Sequence, residues 1–200
     1  MIPTHLEGRR VLLRPLTAED WDDWAEVRRR CGDWLTRWEP APLPGRPDPS
    51  MSREAFVARI GARNREWQLG TGYGFGVFVD GAFGGEINVG TIQRGPFQNA
   101  YVGYWIDEKL AGQGYMPESV VVVIRFAFEE LKLHRLQISI IPRNTASRRV
   151  VEKLDLRMEG VAERYLQING TWEDHCRYAI TFEEWQRRRA ELLFDWTDPR

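Results

Sequence analysis

The stretch Ala100 to Leu131 constrains the fold more than any other part of this 200-residue chain. It opens with Ala100 to Ile106 (AYVGYWI), whose aromatic and β-branched residues read as a strand. It continues through Gly112-Gln113-Gly114 and ends in Pro117 to Leu131, a Val-rich run that composition alone would allow as a strand. Its length and the proline at its first position favour a buried helix. A strand that passes through a glycine-bearing loop into a helix N-terminus presents backbone N–H groups to an anion, and the helix dipole adds to the attraction.

Phosphate or pyrophosphate is the natural guest of such a loop. A Walker loop needs G-K-[S/T], which is absent, and a dinucleotide fingerprint needs a third glycine where Pro117 stands. The pyrophosphate of coenzyme A is the nucleotide option that remains. The plainer alternative is that Gly112 and Gly114 only make a tight turn.

The flanking sequence supplies a sheet and further helices. Gly8 to Pro15 reads as a strand with Val11 and Leu13 on one face, followed by a helix capped by Thr17 and rich in acidic residues near its positive end. Glu39 to Ser52 is a proline- and glycine-rich loop, and Arg53 to Trp67 a helix with Phe56, Val57, Ile60 and Arg63 at helical spacing. Phe75 to Val79 and Ala82 to Ile92 form a hairpin around Asp80-Gly81, a pair suited to the positive φ angles of a tight turn. Leu136 to Ile141 is a strand, and Asn144 to Leu154 a helix with Ser147, Val150, Val151 and Leu154 on one face. Strands at Met158 to Ile168 and Trp172 to Thr181 turn at Asn169-Gly170, and an amphipathic tail, residues 183–200, closes the chain. The order β-α-α-β-β-β-α-β-α-β-β predicts an α/β domain spanning residues 1–200, a mixed sheet with helices against it.

Charge and composition exclude several classes of function. A formal net charge of -1 gives no reason to expect direct nucleic-acid binding. Cys31 and Cys176 lack C-x-x-C spacing, and His5, His134 and His175 are scattered, so no metal site is expected. No apolar run approaches the roughly 20 residues that span a bilayer, and Met1 to Arg10 has no apolar signal-like stretch, so a cytoplasmic protein is expected.

Asn144-Thr145-Ala146-Ser147 through Glu152-Lys153-Leu154, ending at Glu159-Gly160, adds a second motif. With it the chain resembles the GNAT acetyltransferase superfamily, and within it the ribosomal-protein N-terminal acetyltransferases of the RimJ/RimL type. The resemblance also rests on L-x-x-x-R-V-x-L-R-P-L at Leu6 to Leu16, Gly84-Gly85-Glu86-Ile87, Gly103-Tyr104-Trp105-Ile106, Gly112 to Tyr115, Pro142-x-Asn144-x-x-Ser147 and Asn169-Gly170-x-Trp172-x-Asp174-His175. It implies a GNAT fold, whose central, mostly antiparallel sheet is flanked by helices and splayed at the cofactor strand, and acetyl-CoA as cofactor. The backbone of Ala111, Gly112, Gln113, Gly114, Tyr115 and Met116 would hold its pyrophosphate. The strand of Tyr104, Trp105 and Ile106 would pair with its pantetheine arm, and Asn144 would bond to it. Ala111 and Met116 depart from the family's [Q/R]-x-x-G-x-[G/A] loop, and Asp155-Leu156 stands where many relatives have Gly-Phe.

Acetyl transfer to an amine needs a neutral amine, a polarised carbonyl and a proton donor for the departing thiolate. Many relatives carry a tyrosine as acid where Val151 stands here. Ser147 is the nearest hydroxyl and is similar to the proposed acid of the RimL type; alternatively it only occupies the first helical turn under an Asn144 cap. Glu86 shares a strand face with Asn88 and is a candidate base looking into a cleft, or else a solvated strand residue. Trp34, Trp38 and Tyr104 are candidate walls of the acceptor site, and Asp174 and His175 weaker candidates that would meet the acceptor's ammonium. Arg143, Arg148, Arg149 and Lys153 either meet the cofactor's 3'-phosphate or form a solvated helix face. The acceptor implied by the resemblance is a protein N-terminus, with a small-molecule amine as the enzyme-class alternative and a non-catalytic acyl-CoA sensor as the alternative outside it. A monomer and a homodimer are equally compatible with the sequence.

Overall fold

In the computed structural model, which describes residues 5–41, 45 and 47–198, alternation along the strands divides the chain into layers. The strands are Leu6–Glu7 (β1), Val11–Arg14 (β2), Tyr73–Val79 (β3), Ala82–Gln93 (β4), Asn99–Ile106 (β5), Arg135–Ile140 (β6), Arg157–Ile168 (β7) and Thr171–Thr181 (β8). The helices are Trp21–Arg30 (α1), Gly32–Thr36 (α2), Arg53–Leu69 (α3), Tyr115–Glu129 (α4), Thr145–Lys153 (α5) and Phe182–Trp196 (α6). The strands form one eight-stranded sheet in the order β1-β2-β3-β4-β5-β6-β8-β7. Every neighbouring pair is antiparallel except β5 and β6, which run parallel.

That parallel pair is short. Asn99, Ala100 and Tyr101 pair with Arg135, Leu136 and Gln137, and no pairing of β5 with β6 continues past Tyr101. From Val102 onward β5 keeps β4 on one edge and parts from β6 on the other, which is the expected splay.

Side chains that alternate along β4, β5, β6 and β8 build the inner face. Ile87, Val89, Ala100, Val102, Leu136, Ile138, Tyr178 and Ile180 pack there against the apolar side of α4. The Val-rich run is therefore a helix, and it starts at Tyr115, two residues before the expected position. Pro117 is its third residue, where the missing N–H had no intrahelical partner to lose. Buried as it is against the sheet, α4 is covered in turn by α6, whose Trp185 meets Phe128 with ring centroids 6.3 Å apart. The expected tail is thus a helix, held at its start by a capping box between Thr181 and Glu184.

On the outer face α1 and α3 bury Trp24, Phe56 and Ile60 against Phe78 and Phe83. Val57, expected on the packed stripe of α3, is 43% exposed. The five-residue α2 has too few positions to show a helical period, so sequence alone passes over it. Of the loop expected at Glu39 to Ser52, residues 42–44 and 46 lie outside the described residues, and the described remainder has no helix or strand.

The Asp155-Leu156 departure has a conformational meaning. Asp155 follows α5 with φ 48°, in the left-handed region where glycine ordinarily stands after a helix. Its N–H donates to the Glu152 carbonyl and that of Leu156 to the Val151 carbonyl, both at 3.0 Å, closing the helix end. Aspartate tolerates this backbone better than most side chains, and buried Leu156 supplies the apolar contact.

Candidate active site

Two left-handed glycines shape the loop between β5 and α4. Gly112 has φ 81° and Gly114 has φ 88°, conformations in which a side chain would be strained. Gly114 is the N-cap of α4 and no side chain caps the helix. The first-turn N–H groups therefore have no capping partner within the loop, and the positive end of the helix dipole is offered to an anion.

The loop is braced from both sides by residues whose pairing no local pattern reveals. At its start Asp107 accepts from Arg30 Nη1 and Nη2 at 2.8 and 2.7 Å and from the Lys109 N–H at 3.0 Å. The bond from the Arg30 guanidinium holds the Asp107 carboxyl down at about 2. Because the folded value lies below the usual carboxylate value, this contribution is complete above about pH 5 and fades as pH falls toward 2. A shift of this size corresponds to about 2 kcal/mol. Asp107→Asn is accordingly expected to cost about 2 kcal/mol at pH 7 and almost nothing near pH 2, measured by urea denaturation across the acid range.

At its end the loop is braced by Arg10 and Glu118. Arg10 donates through Nη1 to the Gln113 carbonyl at 3.1 Å and lies over the Tyr115 ring at 4.7 Å. Its Nε donates to Glu118 at 2.9 Å, and Glu118 also accepts the N–H groups of Arg10 and Val11 at 2.5 and 3.1 Å. Glu118 is wholly buried in the first half of α4, and Gly8 passes so close that a Cβ there would lie 2.7 Å from its Oε1. Glu118→Ala would leave two backbone N–H groups without an acceptor and Arg10 without its partner. A loss of about 2 to 3 kcal/mol is expected, and a smaller one for Glu118→Gln, which keeps one acceptor; chemical denaturation checks both.

Where β5 leaves β6, Tyr104 points from the inner face toward α5. Its hydroxyl donates to the Ser147 carbonyl at 3.0 Å and accepts from Ser147 Oγ at 3.2 Å. Burial pushes the Tyr104 hydroxyl above its ordinary value, so it stays neutral. Asn144 caps α5 by accepting the Ser147 N–H at 3.1 Å. The cap therefore uses the backbone of Ser147 and leaves its hydroxyl to Tyr104.

The opposite face carries the carboxylate. Glu86 pairs in register with Trp105, and Asn88 with Gly103. Trp24 Nε1 donates to Glu86 Oε1 and Arg59 Nη2 to Oε2, each at 2.6 Å. Glu86 is thus oriented by two helices and is not a freely solvated strand residue. Glu86 and Tyr104, the partner of Ser147, lie on opposite faces of the sheet.

The remaining sequence candidates fall into two groups. Trp34 stands at the end of β5, its indole donating to the Ile106 carbonyl at 3.3 Å. Trp38 lies under Arg143 at 5.6 Å, and Arg143 forms a two-pronged pair with Glu173 at 2.6 and 2.7 Å. Asp174, by contrast, accepts the Arg164 N–H at 2.8 Å, where β7 departs from regular register, and is not brought to Glu86. His175 is buried, with its ring 5.7 Å from Tyr165. Arg148 is taken up by Tyr178, Glu152 and the Pro142 carbonyl, while Arg149 and Lys153 are exposed on α5.

An uncapped helix end behind two glycines, beside a strand edge that has lost its neighbour, suits a cofactor with a pyrophosphate and an amide-bearing arm. The family comparison agrees, since the model of the acetyltransferase (GNAT) domain matches residues 10–157. The chain belongs to the GNAT acetyltransferases. A probable N-acetyltransferase of Bacillus subtilis, YjcK, is 34% identical over 177 residues, covering 88% of this chain and 96% of the relative. The enzyme of Escherichia coli named for acetylating alanine of ribosomal protein uS5 is 31% identical over 170 residues, covering 83% and 86%. Among solved structures, Mycobacterium smegmatis RimJ in complex with CoA-disulfide superposes with a TM-score of 0.86 at 29% identity, covering 96% of this chain and 92% of that one. As a GNAT enzyme the protein transfers acetyl from acetyl-CoA to an amine, and acetyl-CoA supplies the acyl group as an activated thioester.

Sequence reasoning missed Arg10, Asp107, Trp24, Arg59 and the hydroxyl function of Tyr104. The one local clue was Glu118, a lone carboxylate at the head of a Val-rich helix, which has to find a partner when buried.

Proposed function

We propose that this enzyme acetylates the N-terminal α-amine of a protein, in the first place a ribosomal protein, which would make it a cytoplasmic enzyme. The observation that carries this reading is the 31% identity to the uS5-alanine acetyltransferase over 83% of the chain. Among the described residues no helix is long and apolar enough to cross a membrane.

In this reading the backbone of Gly112 to Met116 holds the pyrophosphate, and the open edge of β5 at Gly103 to Ile106 aligns the pantetheine arm. Asn144 keeps its amide N–H groups available beside Ser147. Glu86 serves as base, through water, on the outer face, with Asn88 beside it toward the acceptor. Ser147 delivers a proton to the thiolate from the inner face. Proximity carries much of the remaining barrier, since bound thioester and amine react as one molecule. A panel of peptides with free alanine or serine N-termini, tested against N-blocked lysine peptides, polyamines and free amino acids, decides the acceptor. Turnover confined to the small amines would overturn the protein reading, and cofactor binding without thiol release on any amine would favour a sensor.

A further inference from the structure

Tyr104 and Ser147 form a closed hydroxyl pair with no third side-chain partner among the described residues. The tyrosine oxygen lies within hydrogen-bond reach of both oxygens of Ser147, the carbonyl at 3.0 Å and Oγ at 3.2 Å. Rotation about the phenolic C–O bond alone redirects its proton from one to the other, with the ring unmoved. The ring itself is held on β5 opposite Ile87, one residue past Gly103, at the rim of the gap.

We propose that Tyr104 is the positioning residue for Ser147, holding Oγ at the gap and turning its own O–H onto that oxygen as Ser147 gives up its proton. The inference rests on Ser147 being the proton donor. In the step, the Ser147 Oγ–H bond breaks and an S–H bond forms at the departing thiolate. Tyr104 shares its phenolic proton with the serine oxygen left behind, so the negative charge is spread over the pair, and one solvent proton restores two neutral hydroxyls. A buried alkoxide without such a donor would be costly, which is the physical reason for the pairing.

A Ser147→Cys variant reads this donation without any cofactor. The rate of alkylation by iodoacetamide against pH gives the ionisation of the new thiol, and the native Cys31 and Cys176 are 2% and 4% exposed and so react slowly. With Tyr104 present the thiol pKa is expected about one unit lower than in the Ser147→Cys, Tyr104→Phe double variant. Equal values would overturn the proposal. In turnover, Tyr104→Phe is expected to lower kcat about tenfold with KM for acetyl-CoA unchanged, the size of one lost hydrogen bond, and to add no further loss to Ser147→Ala. Losses that multiply would make Tyr104 a packing residue. Full turnover in Ser147→Ala would sink the donor reading itself, whereas a Ser147-dependent enzyme indifferent to Tyr104→Phe would sink only this inference.

Discussion

Ser147→Ala is expected to lower kcat by about 100- to 10,000-fold while leaving CoA affinity and Tm nearly unchanged. The size is that of a lost general acid. Stability should hold because the α5 cap runs from Asn144 Oδ1 to the Ser147 backbone N–H, which alanine retains. The hydroxyl forfeits one bond to Tyr104, and a single neutral hydrogen bond contributes only about 1 kcal/mol. Single-turnover kinetics, CoA titration and thermal denaturation on the same variant separate the roles. A variant that melts early and turns over normally would make Ser147 structural, with solvent protonating the thiolate.

Glu86→Gln should show a loss of similar size, about 100- to 10,000-fold, concentrated at low pH. Its partner is an ammonium whose neutral form becomes common as pH rises, so the need for a base falls in that direction. The ion pair with Arg59 supplies a control, since a merely structural Glu86 acts only through Arg59 and Trp24. Arg59→Met removes that pair while leaving the carboxylate in place, and it is expected to keep most of the turnover. If the two variants lose activity equally and uniformly across pH, Glu86 is a tie between α1, α3 and β4 and takes no part in the chemistry.

The supporting residues of the site show where sequence reasoning stops. Glycine positions, the Asn144 cap and the position of Ser147 in the first turn of α5 were legible because each depends on neighbours within a few residues. Arg10 and Glu118 stand 108 positions apart, Arg30 and Asp107 stand 77 apart, and Tyr104 and Ser147 stand 43 apart. No periodicity links such pairs, so nothing local marked them as partners. Asp174 illustrates the opposite case. A carboxylate in a late strand, attractive as an ammonium ligand, is used instead to hold the irregular backbone of β7 at Arg164.

The sequence by itself determined the layered α/β architecture, the Val-rich helix behind two glycines and the family, because hydrophobic period, turn chemistry and helix signals are written in contiguous residues. Only the tertiary structure decided that β5 and β6 part after Tyr101, that Glu86 and Tyr104 lie on opposite faces of the sheet, and that a half-buried tyrosine is bonded to the serine. Those facts follow from how distant segments pack. The free energy of a buried carboxylate or hydroxyl is set by the partner it meets across the fold and not by its neighbours along the chain.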